Sequence, residues 1–273
     1  MDKKIEEVEF VIFDTETTGL DPSTGDRIVE IAAVRFKGKD NLGQFHSLVN
    51  PCREISPRAF EVNKISPDML EGAPKMELIL PRFLDFIQGA CLCSYNLPFD
   101  LGFINKELEI SGSPPLTDLL MVDILAMARK LLPKLERHAL WFVAQNMGIE
   151  TKQEHRAFSD VELAWKVFGG FKVMLQERGI EGFPGFLSLF GFSLGHSRTI
   201  KEQKIAKIEE AIELGVKLKI KYFSHSSSLV TERIVLPKEV KIGNKQVYLV
   251  GFCSLRNEER SFKIENILEL EIV

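Results

Sequence analysis

The sequence predicts an α/β domain followed by a smaller β-rich unit with a leading helix, and three observations carry that prediction. Strand-length apolar runs alternate with segments of helical periodicity over the first two thirds of the chain. A stretch rich in Gly and Phe interrupts the pattern at 179–202. Beyond it, one helical segment leads into several short alternating segments separated by turn residues.

Residues 8–13, rich in Val, Ile and Phe, read as a buried strand with Asp14 at its end. Residues 28–36 and 42–49 read as two more strands, joined through the turn Lys37-Gly38-Lys39-Asp40 into an antiparallel meander that Pro51 and Pro57 terminate. Helical spacing follows over 76–87, then a short buried strand at 91–94 and a helix at 99–108. Further helices are expected near 124–132, 139–147 and 157–176, the last with Leu163, Val167, Phe171 and Met174 on one stripe. The expected division is a first domain over 1–178, a linker over 179–202 and a second domain over 203–273. The linker is too apolar for a free tether and should lie against a domain. In the last segment Ile205, Ile208 and Ile212 mark a helix face, and residues 216–222 alternate apolar and basic side chains as a half-buried strand does. Strands near 231–236, 247–253, 260–264 and 267–272 complete a small antiparallel barrel or roll.

Composition narrows the function classes. With 35 Lys+Arg against 39 Asp+Glu, the chain does not coat nucleic acid by bulk charge. Its four cysteines form no C-x-x-C pair, the N-terminus is charged where a signal peptide would be apolar, and no apolar run reaches the ~18–20 residues of a membrane span. A cytoplasmic protein with no membrane partner is the expectation.

The first candidate site is Asp14-Thr15-Glu16-Thr17-Thr18-Gly19-Leu20. Residues two apart on an extended segment point the same way, so Asp14 and Glu16 place two carboxylates together. Like charges so close repel unless a cation lies between them, and oxygen-only ligands suit Mg²⁺ or Mn²⁺. A solvated strand end is the plainer alternative. The second is Ser94-Tyr95-Asn96-Leu97-Pro98-Phe99-Asp100, where Asp100 is equally a helix-start acid. The third is His155-Arg156-Ala157-Phe158-Ser159-Asp160, in which Ser159 or Asp160 could simply cap a helix.

In order and separation, these motifs over residues 8–175 resemble the three exonuclease motifs of the DnaQ-like DEDDh family, which includes the proofreading subunit of bacterial replicative polymerase. The resemblance implies a ribonuclease-H-like fold with a mixed five-stranded sheet. It implies that Asp14, Glu16, Asp100 and Asp160 hold two Mg²⁺ or Mn²⁺ ions and that His155 is the base. It further implies that Thr17, Thr18 and Leu20 contact the terminal nucleotide, the first two through backbone amides, with Asn96 and Phe103 lining the cleft. The implied reaction releases nucleoside 5′-monophosphates from a nucleic-acid 3′ end, single-stranded DNA favoured, with a DNA polymerase or repair complex as partner. Asn63 stands where many relatives have His, which suggests altered substrate contacts.

Residues 203–273 resemble a WYL domain, although Val247 stands at the Trp position of the eponymous motif and Lys263 where Arg is common. That resemblance implies a small Sm/SH3-like β-barrel that binds a ligand, often nucleic acid. Arg233, Tyr248 and Arg260 are its candidate binding residues, since guanidinium groups and an aromatic face suit phosphates and bases; core and ion-pair roles are the alternative. Lys217, Lys219 and Lys221 share one face, either as a solubilising edge or as a basic track. Two rival functions stay open, an RNA exonuclease and a ligand-sensing regulator built on a nuclease scaffold. Residues 200–273 hold 13 Lys+Arg and 11 Asp+Glu, so the excess acid belongs to the first 199 residues.

Overall fold

A computed structural model describes residues 3–150, 156–192, 196–224, 229–243 and 246–273, with backbone alone at 196–200. It divides into two compact units, one spanning Glu6–Lys172 and the other comprising Met1–Ile5 with Val173–Val273.

The first unit is built on five strands, β1 (Glu9–Thr17), β2 (Ile28–Lys37), β3 (Asp40–Leu48), β4 (Cys91–Ser94) and β5 (Met121–Asp123), in the spatial order β3-β2-β1-β4-β5. β1 pairs antiparallel with β2 and parallel with β4, so the sheet is mixed as expected. β1 runs four residues further than the apolar run suggests, because β2 continues to pair with it as far as Thr17 and Ile28. Asp14 and Glu16 therefore lie within the strand and inherit its strict alternation. Val11 and Phe13 turn to one face and join a core with Ile79, Leu80 and Phe83 of α3 (Met76–Ile87) and Leu97, Leu101 and Ile104 of α4 (Leu97–Ile110). Phe10 turns to the other, stacking on Phe36 and packing at a tilt against Phe168 from α7 (Ala157–Glu177).

Two short helices, α1 (Pro57–Asn63) and α2 (Pro67–Leu70), occupy the stretch that the prolines were expected only to break. Each follows a Ser and opens on Pro, whose fixed φ and missing N–H suit the first helical turn; the Ser56 hydroxyl accepts from Ala59 N. The remaining helices of this unit, α5 (Ile124–Leu131) and α6 (Leu140–Asn146), fall where the periodicity puts them.

In the second unit, part of the predicted linker is helical. α8 (Phe183–Phe190) carries Pro184 in its first turn and buries Phe186, Leu187, Leu189 and Phe190, an apolar set large enough to fold against its own unit. α9 (His196–Leu214) and the strands β6 (Leu218–Ser224), β7 (Leu229–Gly243), β8 (Gln246–Cys253), β9 (Glu258–Lys263) and β10 (Ile267–Ile272) follow. The strands form one antiparallel sheet in the order β10-β6-β7-β8-β9 over a core of Ile208, Ala211, Leu218, Ile220, Val235, Leu249 and Phe262. β7 is more than twice as long as its alternation suggests, because a bulge after Pro237 absorbs the missing N–H and pairing resumes at Glu239. β6 is an inner strand, not an edge. Lys219 and Lys221 pair with Glu232 and Glu269 on its two neighbours, which removes most of the proposed basic track.

Candidate active site and a basic cavity

The β1 alternation that sends Phe10 toward α7 sends Asp14 and Glu16 the same way, and α7 brings Asp160 to them from its first turn. Carboxylate oxygens of Asp14, Glu16 and Asp160 all lie within 4.8 Å of one another, and all three residues are half-buried. Desolvation raises Asp14 well above the usual carboxylate range, reinforced by the charges of Asp100, Glu16, Asp160 and Glu30. The same causes, desolvation first and then Asp160, Glu30 and Asp100, push Glu16 up to about 8. A partly enclosed, oxygen-only group of crowded acids, whose repulsion Arg156 offsets only in part, fits a hard divalent cation such as Mg²⁺ or Mn²⁺.

Asp100 reaches the same strand from α4. Its Oδ1 accepts from Thr15 N at 2.9 Å and Thr15 Oγ1 at 2.7 Å, and its Oδ2 accepts from Ser94 Oγ at the end of β4. Burial pushes its carboxyl up to about 6 despite those bonds. Asp100 is thus electrostatically part of the group but outside the tight trio. Asn96 is exposed at the start of α4 in the left-handed region, φ 81°, its amide donating to Asp123 Oδ1 at 3.3 Å. Asp123 also accepts from Leu125 N, so this acid, absent from the candidate set, joins two turns at the sheet end.

A further acid was missed altogether. Glu30 of β2 lies directly opposite Glu16 and is fully buried. Its Oε1 accepts from Arg156 Nη2 at 2.6 Å and sits 2.8 Å from His46 Nε2, while Oε2 accepts from Arg156 Nε at 3.0 Å and Ala157 N at 3.1 Å. Burial alone would push this carboxyl up, but the bonds from Arg156, His46 and Ala157 outweigh it and hold Glu30 below its ordinary range.

The remaining candidates divide. Leu20 is 69% exposed beside the acid strand. The Thr17 and Thr18 hydroxyls donate to Gly19 O and Asp26 Oδ1, and the Thr18 amide donates to Arg27 O, so Thr18 has no amide left for a nucleotide. A Cβ at Gly19 would overlap the Asp26 carboxylate, which would have to shift and leave the Thr18 hydroxyl. Phe103 is 1% exposed and packs on Phe99 at 5.0 Å, which makes it a core residue and not a cleft wall. Asn63 is equally buried, donating to Thr17 O and accepting from Ile65 N; it secures the turn after β1 and leaves substrate contacts to others. His155 lies outside the described residues.

In the second unit, Arg233, Tyr248 and Arg260 come together around one cavity of about 660 Å³, which Tyr222, Arg256, Lys263 and Asn266 also line. Arg233 Nε donates to Thr231 Oγ1, while its buried Nη1 and the buried Asn266 Oδ1 have no hydrogen-bond partner among the described residues. Buried polar atoms facing a basic cavity suit an anionic ligand with a donor group. Arg260 also pairs with Glu258 at 3.4 Å, so the ion-pair alternative holds for that residue too.

A mixed sheet whose central strand carries two carboxylates, joined by a third from α7, presents a group that could hold a divalent metal. The chain belongs to the exonuclease family, whose model matches residues 11–168, and residues 203–272 match the WYL domain. DNA polymerase III subunit epsilon of Treponema pallidum is 39% identical over 165 residues, covering 60% of this chain and 76% of that protein. DNA polymerase III PolC-type of Thermotoga petrophila is 30% identical over 281 residues, covering 99% of this chain but only 20% of the relative. The chain thus spans a minor part of the PolC-type proteins it matches. Among solved structures, the nuclease domain of 3′hExo, a DEDDh family member bound to rAMP, superposes with a TM-score of 0.54 at 16% identity, covering 64% of this chain and 95% of that one. Exonuclease X in complex with 5′ overhanging duplex DNA gives 0.50 at 22%, covering 62% and 93%. No helix among the described residues is long and apolar enough to cross a membrane.

Proposed function

We propose that residues 1–178 form a divalent-metal-dependent 3′→5′ exonuclease acting on DNA ends, single strands favoured, and that residues 203–273 bind nucleic acid or another anionic ligand. The observation that carries the reading is the carboxylate trio within 4.8 Å where α7 meets the central strand of an exonuclease-family sheet. Asp14, Glu16 and Asp160, with Asp100 beside them, would hold two Mg²⁺ or Mn²⁺ ions. Metal ions held there supply Lewis acidity toward phosphate oxygens. His155 accepts the proton of the attacking water; the water oxygen bonds to phosphorus and the 3′-oxygen of the preceding nucleotide leaves. Histidine suits that task because its unperturbed pKa of ~6.5 lies near working pH. Leu20, exposed past the strand end, abuts the terminal base, and Asn96 faces the same cleft. The DNA polymerase III relatives support DNA as substrate and a DNA polymerase as partner; a cytoplasmic location belongs to the same reading.

The deciding assay incubates the full chain with Mg²⁺ or Mn²⁺ and 5′-labelled single-stranded DNA, duplex DNA or RNA. Stepwise shortening from the 3′ end is expected, with losses on the order of 10³-fold in Asp14→Ala and His155→Ala. Faster loss of RNA than DNA makes this an RNA exonuclease. Full activity in both variants overturns the assigned site, and intact substrates with tight ligand binding favour the regulator.

A further inference from the structure

We propose that Glu30 and Arg156 form a positioning clamp that sets the metal-site geometry by locking the start of α7 onto the β1–β2 ladder. The inference rests on the exonuclease reading but concerns residues that hold no metal in it.

Glu30 and His46 lie on the same sheet face as Asp14 and Glu16, because Glu30 is opposite Glu16 and His46 opposite Ala32, itself opposite Asp14. Arg156 engages both Glu30 oxygens through its guanidinium fork, and the Ala157 amide closes a fourth contact. A guanidinium and a carboxylate joined in this bidentate way fix orientation as well as distance. The Arg156 carbonyl in turn accepts from Asp160 N at 3.1 Å. Asp160 is thereby tied through one backbone bond to a residue clamped on the strand neighbouring Glu16. Arg156 also directly follows His155 in sequence, so the clamp anchors the peptide next to the proposed base.

A fully buried fifth carboxylate beside four others is costly unless an opposite charge and hydrogen bonds compensate it, as Arg156, His46 and Ala157 do here. With each oxygen satisfied twice over, Glu30 has no need of a cation and acts on Asp160 through Arg156. Groups that orient metal ligands in this way typically change metal affinity or activity 10–100-fold when replaced.

Charge and position make opposite predictions for Arg156. As a mere charge, the guanidinium repels cations, so Arg156→Ala should tighten Mn²⁺ binding and Arg156→Lys should change nothing. As a clamp, both replacements loosen Asp160. The experiment measures Mn²⁺ binding to the full chain by electron paramagnetic resonance, with circular dichroism to establish folding, and kcat and KM on single-stranded DNA. Arg156→Lys is expected to weaken Mn²⁺ binding and lower kcat roughly 10-fold or more, with KM within about threefold. His46 is largely exposed at 44%, and His46→Ala, which removes one of the four contacts, should lower kcat about two- to fivefold without loss of fold. Tighter Mn²⁺ binding in Arg156→Ala overturns the clamp. So do wild-type kcat and Mn²⁺ affinity in the folded Arg156→Lys, or in His46→Ala should the lysine variant fail to fold. Wild-type protein that binds Mn²⁺ yet cleaves nothing refutes the exonuclease reading instead, and the Mn²⁺ measurements still decide the clamp.

Discussion

Glu16 shows how much chemistry one position acquires from its surroundings. The alternation of an extended strand is enough to pair it with Asp14, and this was legible in Asp-x-Glu. That desolvation and three other acids push it up to about 8 was not, because those acids arrive from β2, α4 and α7. The shift has a consequence for stability. A carboxyl raised above its unfolded value of 4.5 stabilises the fold while protonated, and that stabilisation is lost as pH rises toward the folded value. Metal-free protein should therefore melt at progressively lower temperature between about pH 5 and 8, and Mg²⁺ or Mn²⁺ should raise the melting temperature more at pH 8 than at pH 5. A flat metal-free profile, or equal metal gains at both pH values, would contradict the assigned crowding. Glu30 and Asn63 mark the limit of reading residues in isolation. A lone Glu in Ile-Val-Glu-Ile carries no local sign of an arginine 126 residues later, and an Asn at a helix end does not announce a bond to Thr17.

At the scale of elements, helices with a clean apolar stripe were readable almost to the residue, α7 above all, since one face must meet the sheet. The elements that escaped are short or interrupted. α1, α2 and β5 have too few residues to display a period, although Ser-Pro at the start of each short helix was an available signal. β7 was truncated in prediction because a proline ordinarily ends a strand. Its bulge imposes a tight fit on the neighbouring strand: a Cβ on Gly251 would collide with the Leu236 carbonyl and stand 2.8 Å from Val235 Cγ1. Gly251→Ala should destabilise the second unit by about 1–3 kcal/mol, measured by urea unfolding. An unfolding midpoint equal to wild type would mean that the β7–β8 ladder yields without cost. Phe103 belongs to the same lesson, since its place on α4 could serve core or cleft and only the packing of Phe99 against it settles the matter.

For the molecule as a whole, the acid-rich first part and the mildly basic second part now have separate meanings. The acids gather where a cation would be needed, and the bases gather around a cavity. In the full chain, Arg233→Ala combined with Arg260→Ala should weaken binding of a labelled single-stranded oligonucleotide about 10-fold near 0.1 M salt and reduce the salt slope by roughly 1–2, leaving kcat at saturating substrate unchanged. Unaltered affinity and slope would remove nucleic acid from the list of ligands for that cavity. The sequence by itself determined the order of the motifs, the sheet-and-helix alternation and the pairing of Asp14 with Glu16, because these follow from local periodicity and from residue types at short spacing, whereas Asp100 and Asp160 were implied only by the family resemblance. Only the tertiary structure decided which acids share a face, that Phe103 and Asn63 are internal, that Arg233, Tyr248 and Arg260 line one cavity, and that Glu30 grips Arg156. Such contacts join residues far apart in the chain, and strand register and helix docking, set by core packing across the entire sheet, bring them together.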